Sequence, residues 1–149
     1  MRPPAARRAD AELLNGLLDL ERRTIGAYTA GIPLLTGASL TAAQRFLAQE
    51  LAHAAELSRL LKRAGVVAHR PSDSYDLGHP RSAAAVLGLL HASETAQLAA
   101  YITAIPRLAT GTVRASTASI LADDAQHVSV LRSALALDPV PTAFVTGRE

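Results

Sequence analysis

The chain has 149 residues, 49% of them hydrophobic and only 3% aromatic, enough for one packed domain but short of the aromatic material that a sandwich or barrel uses. Cysteine is absent, which excludes disulfides, thiolate metal sites, iron–sulfur clusters and cysteine nucleophiles. Fourteen arginines and the single Lys62 are spread along the whole length for a net charge of +2, so no block of charge marks a nucleic-acid or anionic-membrane surface.

Residues 1–10 hold the pair Arg7-Arg8, but Glu12, Asn15 and Asp19 interrupt the apolar run that a leader would need after it. They read as a short tail on an unexported, cytoplasmic protein. Apolar residues then recur at spacings of three and four in four segments, 11–31, 41–64, 82–105 and 113–136, which predicts four long helices and no strand. Gly31 and Pro33 close the first helix. Thr41 with Gln44 reads as a capping box opening the second, and Gly65 as its stop. Residues 66–81, with Pro71, Gly78 and Pro80, are too polar for a core and long enough to run the length of a bundle. The third segment is nearly apolar, yet Glu94 lies at its centre, where lipid would penalise a carboxylate by about 2.5 to 3.5 kcal/mol or more. No membrane span is therefore expected. Pro139 and Pro141 make 137–149 a non-helical tail. The expected architecture is all-α: one domain over 1–149, an antiparallel four-helix bundle at 11–136 with a long crossover between helices 2 and 3.

The chain repeats itself. Glu21, Tyr28 and Ile32-Pro33 recur 73 residues later as Glu94, Tyr101 and Ile105-Pro106, and Glu50, His53 and Leu57 recur 74 later as Asp124, His127 and Leu131. Two helical hairpins of one design imply a pseudo-twofold bundle. Helical spacing places Glu21 in line with Leu14, Leu17 and Leu18, and Glu50 and His53 in line with Phe46, Leu57 and Leu60. Glu94 shares a seam with Leu87, Leu90 and Tyr101, and Asp124 and His127 share one with Ile120 and Leu131. Four carboxylates on apolar seams with no lysine or arginine beside them need a counter-charge, and two divalent cations supply it. Residues i and i+3 share a helix face, so Glu50 with His53 and Asp124 with His127 can each offer one acid and one imidazole to a metal. Oxygen-rich donors with one nitrogen per metal suit iron or manganese better than zinc or copper. His91, three residues before Glu94, is a possible additional ligand, though a partly buried structural histidine is the plainer reading. Asp76 and His79 repeat the spacing within the polar connection and are set aside.

The pattern Glu21, Glu50-Leu-Ala-His53, Glu94 and Asp124-Ala-Gln-His127 resembles the ferritin-like di-iron carboxylate superfamily, which includes ferritins, bacterioferritins and rubrerythrins. The resemblance spans the bundle and implies that Glu21 and Glu94 are mainly terminal ligands while Glu50 and Asp124 bridge two irons. It further implies that Tyr28 and Tyr101 sit beside the metals and hydrogen-bond a ligand. The ending Pro139-Val-Pro-Thr-Ala-Phe144 looks like a bacterial subfamily of small ferritin-like proteins. Two departures bear on function. Asp124 stands where the family has Glu, one methylene shorter, which puts equal filling of both metal positions in question. No fifth helix and no haem methionine are seen, Met1 being the only methionine, so neither a mineral-storing shell nor haem is expected.

The resulting expectation is a centre of two iron or manganese ions that oxidises Fe(II) or reduces dioxygen or peroxide, and the resemblance makes a homodimer the possible assembly. Oxidation of a small organic substrate at the same centre, and a metal-free bundle serving as a structural or stress-associated interaction module, are the alternatives.

Overall fold

The computed structural model describes residues 4–149. Its helices are α1 (Pro4–Gly31), α2 (Gly37–Arg63), α3 (Ala83–Ala104) and α4 (Gly111–Ala134), and among the described residues there is no strand. A single 3-10 turn follows α1 at Ile32–Leu34 and another follows α3 at Ile105–Arg107, each with its proline near the start. The apolar periodicity thus yields the all-helical bundle it predicted. None of these helices is long and apolar enough to cross a membrane.

Two boundaries differ from the sequence expectation. Of the tail expected at 1–10, residues 1–3 lie outside those described and 4–10 are helical, α1 opening at Pro4, where the missing N–H costs nothing in a first turn. Asp10 is buried, and its carboxylate accepts the Ala109 N–H at 2.9 Å, a cross-bundle anchor that local sequence does not announce. Helix α2 begins at Gly37 after the extended Thr36, and Thr41 lies inside it, its hydroxyl donating back to the Gly37 carbonyl at 3.3 Å instead of capping. The stop at Gly65 is a Schellman motif: Gly65 has φ +72°, its N–H donates to the Lys62 carbonyl, and the Val66 N–H donates to that of Leu61, both at 3.0 Å.

The crossover lies along the outer face of α1. Asn15 accepts the His69 N–H at 2.8 Å, Asp19 meets the His69 ring at 2.8 Å, and Arg22 and Arg23 donate to the carbonyls of His69 and Asp76 at 2.6 and 2.7 Å. Tyr75 rests on Gly26, 3.2 Å from where a Cβ would stand. This path carries the chain back along the bundle, so α3 starts beside the end of α1. A Cβ on Gly31 would lie 2.5 Å from Val86, so only glycine lets the two helices meet there.

The core is divided. One apolar cluster gathers Leu14, Leu17, Leu18, Leu57, Leu61 and Tyr101; the other gathers Tyr28, Leu35, Phe46, Val86, Leu90 and Leu131. The repeat relates them, since Tyr28 corresponds to Tyr101, Leu57 to Leu131 and Leu35 to Leu108. Each buried leucine contributes roughly 1.5 to 3 kcal/mol, and the two clusters flank a polar layer at mid-bundle.

Candidate metal centre

That layer contains the six residues singled out by spacing. Glu21 from α1, Glu50 and His53 from α2, Glu94 from α3, and Asp124 and His127 from α4 are all buried, the four carboxylates at 0% exposure. His53 Nδ1 lies 3.3 Å from Asp124, 3.4 Å from Glu50 and 3.8 Å from Glu21. His127 Nδ1 lies 3.1 Å from Glu94 and 3.3 Å from Glu50. Both imidazoles therefore point the same nitrogen into one cluster of oxygens.

Two groups within the layer have donor atoms close enough to hold an ion: Glu50, Glu94, Asp124 and His127, and Glu21, His53 and Asp124. Asp124 is common to both, so its shorter side chain still offers an oxygen to each. His91 joins neither group; its Nε2 is buried and has no hydrogen-bond partner.

The hydroxyls behave as the repeat suggests. Tyr28 donates to Glu94 at 2.5 Å and Tyr101 donates to Glu21, so each tyrosine serves the acid of the opposite hairpin. Burial, with the adjoining carboxylates, pushes both phenols well above their ordinary range, and they remain proton donors at neutral pH.

Three further residues escaped the sequence reading. Asp123 Oδ2 lies 3.2 Å from His53 Nε2 and 3.4 Å from His127 Nε2, and Gln49 Oε1 lies 3.0 Å from His127 Nε2. Gln97, fully buried on the seam of Glu94 and Tyr101, donates to Glu50 Oε2 at 2.9 Å. Its position three residues after Glu94 was the available signal; Asp123 and Gln49 look like ordinary shoulder residues until two helices are placed side by side.

The electrostatics express a shortage of positive charge. Burial, then the neighbouring Glu50 and Asp124, raises Glu21 well above the usual carboxylate range. Burial also lifts Glu94 to about 7 and Asp124 to about 6, opposed at Glu94 by a hydrogen bond from His127 and at Asp124 by the adjacent His53 imidazole. Glu50 goes the other way: burial works to raise it, but the adjacent imidazoles of His127 and His53, with a hydrogen bond from Gln97, hold it below the carboxylate range. Burial alone would lower the histidines, yet their carboxylate partners hold His53 at about 9 and His127 at about 10. Even so, Glu21 Oε2, Glu50 Oε1, Glu94 Oε2, both Asp124 oxygens and His53 Nδ1 are buried without a hydrogen-bond partner. Orphaned acceptors converging on one point fit a cation, and among the described residues these acids make ion pairs only with the two histidines.

Four antiparallel helices enclosing a mid-bundle layer of acids and two acid-x-x-His pairs define a carboxylate–histidine bundle protein. The ferritin-like domain model matches residues 9–137, and the chain belongs to that family. Its fold is similar to that of a conserved hypothetical protein from Mycobacterium tuberculosis, with a TM-score of 0.81 and 22% identity over 86% of this chain and 98% of that one. It is also similar to a ferritin-like, diiron-carboxylate protein from Bacillus anthracis, with a TM-score of 0.73 and 18% identity over 87% of this chain and 97% of that one. Among curated proteins, none matches the chain in sequence.

Proposed function

We propose that the mid-bundle layer holds two divalent metal ions, iron or manganese, and that the protein oxidises Fe(II) or reduces dioxygen or peroxide there. The observation that carries this reading is the set of buried, partnerless carboxylate oxygens facing two imidazole nitrogens. The similarity to a diiron-carboxylate protein supports it. Glu50, Glu94, Asp124 and His127 would hold one ion, and Glu21, His53 and Asp124 the other. When bound, such a pair supplies one-electron steps at two adjacent centres, the chemistry that dioxygen or peroxide reduction requires.

The protein's own residues prepare the site. Gln49 accepts from His127 Nε2 and the Asp123 carboxylate lies beside Nε2 of both histidines, which turns Nδ1 toward the centre. Tyr28 and Tyr101 fix the rotation of Glu94 and Glu21. His53 and His127 carry protons in the metal-free chain, and loading must displace them, so binding releases protons to solvent. The apolar clusters on either side exclude bulk water from the centre.

Anaerobic Fe(II) loading followed by elemental analysis, with optical spectra before and after air is admitted, tests the reading. About two irons per chain, a raised melting temperature and a spectral change in air are expected, and Glu50→Ala should abolish the two-ion form. A chain that takes up no metal and melts at an unchanged temperature is a structural bundle instead.

A further inference from the structure

The structure assigns the seam between α2 and α4 as the route by which ions and oxidant reach the buried centre. This rests on the metal reading above. Among the described residues, the approaches through the bundle ends and across the outer faces of α1 and of α3 with α4 are covered. Above and below the polar layer lie the two apolar clusters, through which an ion would have to shed its hydration without replacement. The outer face of α1 lies under the crossover, tied down by Asn15, Arg22 and Arg23. The outer face of α3 and α4 lies under the C-terminal segment. There Gly147 sits so close to Ala99 that an added Cβ would approach it to 2.5 Å, and Arg132 grips the carbonyls of Asp138 and Glu149.

The α2–α4 seam differs on each count. These two helices pack together less closely than α1 with α2, α3 with α4, or α1 with α3. A surface cavity of about 350 Å³ opens there, lined by His53, Ser119, Ile120, Ala122, Asp123 and Gln126. Of the six candidate ligands only His53 lines it, and its side chain keeps 11% exposure while the four carboxylates keep none. Asp123, 25% exposed at the cavity wall, touches the outer nitrogens of both imidazoles. A cation entering from solvent thus meets one carboxylate, then the His53 ring, then the oxygens behind it. Polar groups accompany it at each stage, which keeps desolvation gradual.

A route makes a kinetic prediction that a ligand does not. Narrowing the passage that ions use slows arrival and departure by the same factor and leaves the equilibrium unchanged. Ser119 and Ala122 are exposed at the cavity rim, so Ser119→Trp and Ala122→Trp fill it without disturbing the core. Ala118→Trp, exposed on the same helix but outside the cavity lining, is the control. Co(II) association followed by stopped flow, and Co(II) release into excess chelator, give both rates for the full chain. In the rim variants both should fall about tenfold or more, leaving slow local opening as the residual path, while stoichiometry and affinity stay at wild-type values. The control should match wild type. Rim variants with unchanged rates would overturn the assignment, as would weakened affinity at an unchanged association rate, which would mean the indole disturbs ligands instead. A wild-type chain that takes up no Co(II) would defeat the metal reading itself, and the route with it.

Discussion

The hairpins α1–α2 and α3–α4 present the same backbone and nearly the same acids, but they surround those acids differently. Glu21 and Glu94 match, as do Tyr28 and Tyr101, and the helix that follows each brings an acid and a histidine three residues apart. Even the coverings correspond: Tyr75 of the crossover rests on Gly26, and Gly147 of the C-terminal segment rests on Ala99, 73 residues after Gly26. The divergence lies one layer out. Gln49 of the first hairpin corresponds to Asp123 of the second and Thr24 to Gln97, while among the donors themselves only Glu50 and Asp124 differ. Repetition has preserved what builds the bundle and orients the donors, while charge and hydrogen bonding around the donors have become one-sided. Glu50 has one oxygen held by Gln97, whereas neither oxygen of Asp124 has a hydrogen-bond partner, and Asp124 belongs to both ion groups.

Removing matched and unmatched acids gives the largest contrast. Asp124→Ala withdraws a ligand from both groups, Glu21→Ala from one. We expect Asp124→Ala to fall well below one tightly held ion per chain and Glu21→Ala to retain about one, measured by elemental analysis after loading and desalting. Equal losses in the two variants would show that the centre fills only as a unit and that Asp124 holds no special place.

The tyrosines test whether the halves are equally supported. Tyr101→Phe leaves Glu21 Oε1 without its donor, whereas Tyr28→Phe leaves Glu94 Oε1 still 3.1 Å from His127 Nδ1. The first should cost the metal-free protein about 1 to 3 kcal/mol in urea unfolding, the range for a buried acceptor deprived of its partner, and the second distinctly less. Matching costs would mean that His127 gives Glu94 no effective second donor.

The same contrast explains what could be read from the chain beforehand. The bundle was legible because every core position recurs at three or four residues, and the polar crossover has no other place to lie. The six candidate donors were legible because helical spacing puts an acid and a histidine on one seam, and the repeat showed it twice. Gln97 satisfied the same seam test and was overlooked for want of a charge. Asp123 and Gln49 could not be found that way: each touches a histidine across a gap between helices, a relation set by packing and absent from local periodicity. The helical start of α1 was hidden for a similar reason, since Asp10 finds its partner 99 residues away at Ala109.

The smallest contrast is at the ends of α2 and α4, where the halves use one motif with different residues. After α4 the Ala136 N–H donates to Ser133 and the Leu137 N–H donates to Arg132, the same two-bond closure that Gly65 and Val66 make after α2. Gly65 occupies the left-handed position with φ +72°, Ala136 with φ +58°. A Cβ on Gly65 would meet nothing within 4 Å, so Gly65→Ala should lose stability through backbone strain alone, about 1 kcal/mol. Ala136→Gly relieves that strain but gives the unfolded chain more freedom, two effects of about 1 kcal/mol that oppose each other. A net gain below about 1 kcal/mol is therefore expected, read as a small rise in the urea midpoint with an unchanged slope. If Ala136→Gly destabilises by more than the roughly 1 kcal/mol that the freer unfolded chain accounts for, the Ala136 methyl group contributes packing that outweighs its strained backbone. The second hairpin would then have replaced conformational ease with contact at its terminus, as it replaced Gln49 with Asp123 around the histidines.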